Sequence, residues 1–289
     1  MIFLPILFST ILSVNTVISP LSNSPIPLND VVNLPAASFG SLMTPKPTPT
    51  PAPTEKPKIY NTAKHQYTIA LLGDSMIDTL GSGAPNVYRN LIKRFPKTSF
   101  TLLNYGVGST NIDYGIERLT NSYTYVGKAY PSLVSQKPDV VIVESFAYNP
   151  YPYSDGAIDR HWLAMAKIVD TLRANNNDVI IIIAATIAPN SFVFGNGAPG
   201  LSFSAVEKFE RTATIKKYLD NAVRFAKSEH LPLADAYHQS LDIQGNGKLR
   251  YISNGDHNHY SEAGREFFAN IIVNTILTNH LFHETLLAL

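Results

Sequence analysis

The chain has 289 residues, 45% of them hydrophobic and 16% charged, which excludes a wholly disordered or collagen-like protein and suffices for a sizeable buried core. Twenty-three basic side chains against 22 acidic ones leave a formal charge of +1, so no polybasic field exists to hold nucleic acid or an acidic membrane surface. With no cysteine there is no disulfide framework, thiolate nucleophile or cysteine-ligated metal, and any nucleophile must be oxygen or nitrogen.

Residues 1–29 carry no charged side chain, and residues 1–18 form the apolar run MIFLPILFSTILSVNTVI. Its length lies between a signal-peptide core and a membrane span, so residues 1–43 are expected to be an export or membrane-anchor segment and an unstructured stretch. The missing basic n-region weakens the signal-peptide reading, and the alternative is a poorly ordered N-terminus with no targeting role. Residues 44–58, TPKPTPTPAPTEKPK, alternate prolines that exclude helix and ladder pairing, giving an extended linker of about 3 Å per residue. Eleven of the 20 prolines fall in residues 1–58, which predicts a folded domain over 59–289, while the charge-free segment and the spacer together predict a secreted or membrane-anchored, extracytoplasmic protein.

From Tyr67 onward short apolar runs alternate with longer helical stretches, the pattern of a parallel α/β sheet. Strands are expected at 67–72, 100–104, 139–143, 178–184 and 231–235, and the unbroken VVIV at 140–143 implies burial on both faces. Helices are expected at 87–95, 111–120, 157–175 and 204–229, the last with Val206, Phe209, Ala213, Leu219 and Ala222 at helical spacing. Ser261 opens a final helix with Phe268, Ile271, Ile272 and Thr275 on one face.

Ligands bind beyond the carboxyl ends of such strands. Gly73-Asp74-Ser75 follows the first strand, Gly106-Val107-Gly108-Ser109 the second and Glu144 to Asn149 the third, while Gly255-Asp256-His257-Asn258-His259 precedes the last helix. A serine, an amide, tight glycine turns and an Asp/His pair are the parts of an acyl-transfer site. Each has an ordinary reading as a cap or turn. Asp256 and His259, three apart, would share a face if that turn were helical, letting the carboxylate fix the imidazole tautomer. His257 is the rival base, and a metal held by Asp256, His257 and His259 matches no recognised motif. The remaining histidines lack a constellation and read as solvated or core residues.

In this order and at successive strand ends, the four elements resemble the SGNH (GDSL-type) hydrolases over about residues 67–278. Gly73-Asp74-Ser75 corresponds to the nucleophile block, residues 104–111 to the glycine block, Asn149 to the asparagine block and Asp256 to His259 to the D-x-x-H block. The resemblance implies a flavodoxin-like, three-layer α/β/α fold with a parallel sheet of about five strands. It also implies ester hydrolysis through an acyl-serine, and no cofactor or metal is expected. Ser75 would then attack, His259 act as base and Asp256 orient it. Ser75 and Gly108 N–H groups and the Asn149 amide would hold the oxyanion. Ser109 competes with Gly108, since an ungapped reading puts Ser109 at the family glycine. Ala147-Tyr148-Asn149-Pro150 replaces the usual G-x-N-D, keeping the amide. The G-x-S-x-G elbow of other hydrolases is absent because Ile77 stands at its second glycine.

Aromatic residues Phe146, Tyr148, Tyr151 and Tyr153 follow the third strand, and Phe192, Phe194 and Phe203 the fourth. Both loops should border the cleft, where rings can stack on sugars or receive acyl chains, although most such residues simply pack. The expected function is an extracytoplasmic serine esterase acting on small acyl esters, O-acetylated carbohydrate among them. The alternatives are a lipase or lysophospholipase on longer acyl esters and a non-catalytic envelope-binding module.

Overall fold

The computed structural model describes residues 60–152 and 155–286. The expectations for residues 1–58, and for Tyr153, lie outside them. In chain order the elements are β1 (Tyr60–Thr62), β2 (Gln66–Gly73), α1 (Ser75–Asp78), α2 (Pro85–Arg94), β3 (Ser99–Gly106), α3 (Ile112–Thr120), β4 (Tyr123–Tyr125) and β5 (Lys128–Tyr130). They continue with β6 (Val140–Glu144), α4 (Ala157–Asn175), β7 (Ile180–Ala185), α5 (Ala205–Ser228), β8 (Leu233–Asp235), α6 (Ala236–Ser240), α7 (Glu262–Thr278) and β9 (Glu284–Leu286).

Five strands form one parallel sheet in the order β3-β2-β6-β7-β8. Alternation along each strand decides the layers. Ala70, Leu72, Val141, Val143, Ile181 and Ile183 face one core, which α3, α4 and α5 cover. Ile69, Leu71, Val140, Ile142, Ile182 and Ala184 face the other, beneath α2 and α7. Burial on both faces is why these strands read as unbroken Val/Ile runs. The result is the expected three-layer α/β/α fold. Its strand order reverses between β2 and β6, and a crevice outside the carboxyl ends of a parallel sheet forms at such a switch.

All five expected helices are present. The last two begin at their serines: Ser261 caps α7, and Ser204 with Glu207 makes a reciprocal capping box on α5. One reading of α5 is corrected. Val206 and Phe209, expected on its apolar face, are 66% and 65% exposed. The helix has 24 residues, about 36 Å, and β7 only six, about 20 Å. Its first turns therefore overrun the sheet, and the buried face includes Thr212, Ile215, Leu219, Ala222 and Ala226.

Two short pairings carry no clear sequence signal. Strands β4 and β5 form a hairpin through Val126 and Gly127, both at positive φ (47° and 72°), the backbone of a two-residue primed turn. Strands β1 and β9 pair antiparallel, joining the two ends of the described chain. Beside them Phe282, 1% exposed, meets Tyr67 at 4.0 Å and Phe95 at 5.3 Å between ring centroids. Truncating a buried Phe costs about 3–5 kcal/mol. Phe282→Ala is thus expected to lower unfolding free energy by that order in urea titrations, and an unchanged midpoint would contradict this role for the ring.

Candidate active site

The carboxyl ends of β2, β3 and β6 meet at Asp74. This residue is fully buried and caps α1, its Oδ1 accepting from Met76 N–H at 2.8 Å. Ser75 follows it as the first residue of that helix. Asp74 Oδ2 accepts from Asn149 Nδ2 at 3.0 Å, which ties the asparagine block to the serine turn. The Asp74 N–H donates to Glu144 Oε2 at 3.3 Å, and Ser145 Oγ donates to Glu144 Oε1 at 2.8 Å. Burial raises the Asp74 carboxyl above its usual range, opposed by the Met76 N–H, the Asn149 amide, His259 and Arg118. Glu144 is pushed well above its usual range, first by burial and then by the neighbouring Asp74 charge.

The cation near this pair is Arg118, 1% exposed. It donates to the Gly73 carbonyl at 2.8 Å and to Thr110 Oγ1 at 3.2 Å, with Tyr114 and Tyr123 rings 4.9 and 5.7 Å from its guanidinium carbon. The glycine block is anchored through Asn104, whose side chain donates to the Ile77 and Gly81 carbonyls and accepts from Gly106 N–H. Gly106 has no room for a side chain, because a Cβ there would run into the Asp78 backbone. A Cβ placed on Gly108 would lie 3.9 Å from Ser75 Cβ, so this turn borders the serine. Yet the Gly108 N–H, read from sequence as an oxyanion donor, already donates to Tyr125 Oη at 3.1 Å.

His259 Nδ1 is 2.7 Å from Asp256 Oδ2, and Asp256 Oδ1 accepts the Asn258 and His259 N–H groups at 3.0 and 3.1 Å. The segment is a side-chain-capped turn ahead of α7, rather than the helical turn the spacing suggested. Burial opposes ionisation of Asp256. The hydrogen bonds from the His259 ring and the two N–H groups together outweigh it and hold the carboxyl below its usual range. With Nδ1 committed to Asp256, Nε2 is the free face, and it is buried without a partner among the described residues. The hydroxyl–imidazole hydrogen bond is therefore open in this structure. His257 turns away at φ 49° and donates from Nδ1 to the Asn196 carbonyl at 2.8 Å.

The other histidines divide clearly. His161, 1% exposed, donates from Nε2 to the Ser145 carbonyl at 2.8 Å and accepts at Nδ1 from Asn221 at 2.9 Å. Burial lowers it to about 4, so it is a neutral core strut. His238 has the constellation that sequence reading denied it: Nδ1 lies 2.8 Å from Asp235 Oδ2, also three residues back, and Nε2 lies 3.7 Å from Asp220. It is half-exposed and bridges two carboxylates.

Two clefts meet at Asn149. One of about 790 Å³ is lined by Tyr148, Tyr151, Phe194, Phe209 and Arg211 among others. The second, of about 410 Å³, is lined by Ser109, Thr110, Asn111, Tyr114, Asn149 and Pro150. Most aromatic loop residues are structural. Phe146 is buried, the Tyr148 hydroxyl donates to Ile187 O, Tyr151 to Asp113, and Phe194 stacks on Phe203. Phe192 is 74% exposed.

Sequence reasoning gave no role to Glu144, Arg118, Asp78 or Tyr125. Glu144 ends a fully buried apolar run, and Arg118 shares the buried face of α3 with Ile112, Gly115 and Leu119; both positions were signals. The Tyr125 contact had none.

No protein-family model matches the sequence, and no curated protein matches it. Solved structures do. A lipase/acylhydrolase from Enterococcus faecalis is 14% identical, covering 77% of this chain and 100% of its own, at TM-score 0.52. The acetyl xylan esterase AlAXEase is 15% identical over 72% and 99%, at 0.52. A two-domain esterase active on acetylated mannans is 21% identical over 77% of this chain and 52% of its own, at 0.50. The chain has the SGNH-hydrolase fold.

Phe146 holds the strand end that carries Asn149, at φ 52° and 1% exposed. A Cβ on Gly115 would fall 2.5 Å from its Cζ. Overpacking of this kind costs about 1–3 kcal/mol. Gly115→Ala should lose stability of that order in thermal unfolding, and a neutral result would show that Phe146 is free to move.

Proposed function

We propose that this chain is a serine esterase, the carboxylic ester hydrolase that its fold and site suggest together. The observation that carries the reading is the buried, unpartnered His259 Nε2, with Nδ1 fixed by Asp256, close enough to Asp74 to favour its charge. Asp74 is the residue before Ser75.

In this mechanism His259 Nε2 takes the Ser75 proton as Oγ attacks the ester carbonyl carbon. Asp256 holds the tautomer and balances the imidazolium. The oxyanion is held by the Ser75 N–H, one glycine-block N–H and the Asn149 amide, whose second N–H is left after the bond to Asp74. Collapse expels the alcohol, which takes the proton from His259. Water then attacks the acyl-serine with the same base, releasing the acid and restoring the hydroxyl.

The substrate class in this reading is a small acyl ester, with O-acetylated carbohydrate foremost. The acyl group is assigned to the smaller cleft and the alcohol part to the larger, aromatic one. Support comes from the acetyl xylan and acetylated-mannan esterases of similar fold. The reading also has the protein outside the cytoplasm, released or attached through its N-terminal segment. The charge-free residues 1–29 and the Thr/Pro-rich residues 44–58 support this. Fractionation should recover full-length protein in membrane, envelope or medium, and a wholly cytosolic product would refute it.

A serine-directed fluorophosphonate is expected to label Ser75 and to lose that adduct in Ser75→Ala. Turnover is read on an activated acetyl ester. Asp256, held below the usual carboxylate range, stays ionised through that range. His259→Ala should abolish nearly all turnover and His257→Ala should change it little. Asp256→Asn should cost up to about 10⁴-fold, the loss recorded for the equivalent change in a serine protease. A more damaging His257→Ala, in a folded variant, would reassign the base.

A further inference from the structure

Resting on the esterase reading, the geometry points to Tyr125 as a positioning residue whose hydroxyl, anchored on Asp78, engages the Gly108 N–H and leaves the Ser109 N–H as the glycine-block oxyanion donor.

Proton accounting comes first. Tyr125 Oη is 2.8 Å from Asp78 Oδ2 and 3.1 Å from Gly108 N. A carboxylate accepts only, so the single phenolic hydrogen goes to Asp78, and the oxygen offers a lone pair to the Gly108 N–H. In that state the hydroxyl has no hydrogen for an oxyanion, and the Gly108 amide has none to spare. Burial and the Asp78 bond raise the phenol above its usual range, so it stays protonated.

The clamp acts beside the serine. The position of a Cβ on Gly108 is 3.1 Å from Tyr125 Oη, 3.7 Å from Asp78 Oδ2 and 3.9 Å from Ser75 Cβ. Asp78 is three residues after Ser75 in α1, so the same short helix carries the nucleophile and the anchor. The hairpin that delivers Tyr125 is fixed by stacking. Tyr123 and Tyr130 rings lie 5.0 Å apart at 6°, and Tyr123 packs over Arg118, which itself holds Gly73 O. Such packing describes a fixed strut, not a lid.

The next residue is the one left available. Ser109 stands at φ 59°, a strained conformation for a non-glycine residue. It is exposed and lines the smaller cleft together with Asn149, the side-chain donor. Locking the preceding peptide through Tyr125 sets the direction of the Ser109 N–H without a glycine there.

The test is kinetics on the whole protein with an activated acetyl ester, comparing wild type, Ser75→Ala, Tyr125→Phe, Asp78→Asn and Asp78→Ala, with melting temperatures confirming folding. Tyr125→Phe frees the Gly108 amide from its acceptor. It should lower kcat by about 10- to 100-fold through misplacement of the donor, with KM within about twofold. Fluorophosphonate inactivation should slow in parallel. Asp78→Asn retains an acceptor for the phenol and should keep most activity, whereas Asp78→Ala should match Tyr125→Phe. Unchanged kcat, a change confined to KM, or faster turnover would each overturn the assignment, the last by showing that the hydroxyl blocks the Gly108 amide. Absence of Ser75-dependent turnover in wild type would instead overturn the esterase reading beneath it.

Discussion

The buried carboxyl of Asp74 is the constraint around which the site is arranged. Desolvating a carboxyl is costly unless its lone pairs are met, and here they are met by groups from separate elements. Met76 N–H comes from α1 and Asn149 Nδ2 from the loop after β6. Glu144 accepts the Asp74 N–H, and Arg118 contributes charge while holding Gly73 O. Satisfying one buried group thus fixes the serine turn, the asparagine amide and the end of β6 together. The network's cost is a second buried carboxyl, Glu144, raised by burial and by Asp74.

That arrangement separates two turns with the same local geometry. Asp256/His259 and Asp235/His238 both place an imidazole Nδ1 within 2.8 Å of a carboxylate three residues earlier, with Oδ1 accepting the histidine N–H. Sequence spacing cannot rank them. Surroundings do: His238 bridges two carboxylates on an exposed surface, while His259 keeps a buried, uncommitted Nε2 at the serine edge of the sheet. A D-x-x-H turn is a common cap, and what distinguishes this one is where the fold delivers it.

Much of the fold was legible because its strands are buried on both faces and so spelled as unbroken apolar runs. Ser75, Asn149, Asp256 and His259 were legible for a related reason, lying in short segments at strand ends or before a helix. What could not be read depends on distant partners. Glu144 meets a residue 70 positions away and Arg118 one 45 away. The β1–β9 pair and the β4–β5 hairpin are three-residue strands, too short for periodicity to register. Tyr125, Asp78 and Gly108 come together only once that hairpin has docked. Val206 and Phe209 failed for the opposite reason, since helical spacing continued past the end of the surface it could cover.

The central claim, that this edge of the sheet forms an acyl-serine, is tested most directly by trapping the intermediate. Protein mixed with an activated acetyl ester, acid-quenched within the first turnover and digested, should show one acetyl group on the peptide bearing Ser75 by mass spectrometry. The signal should be lost on prolonged incubation and absent from His259→Ala. Turnover with no acetyl at Ser75 at any quench time, or an acetyl group on another residue at full yield, would contradict the account.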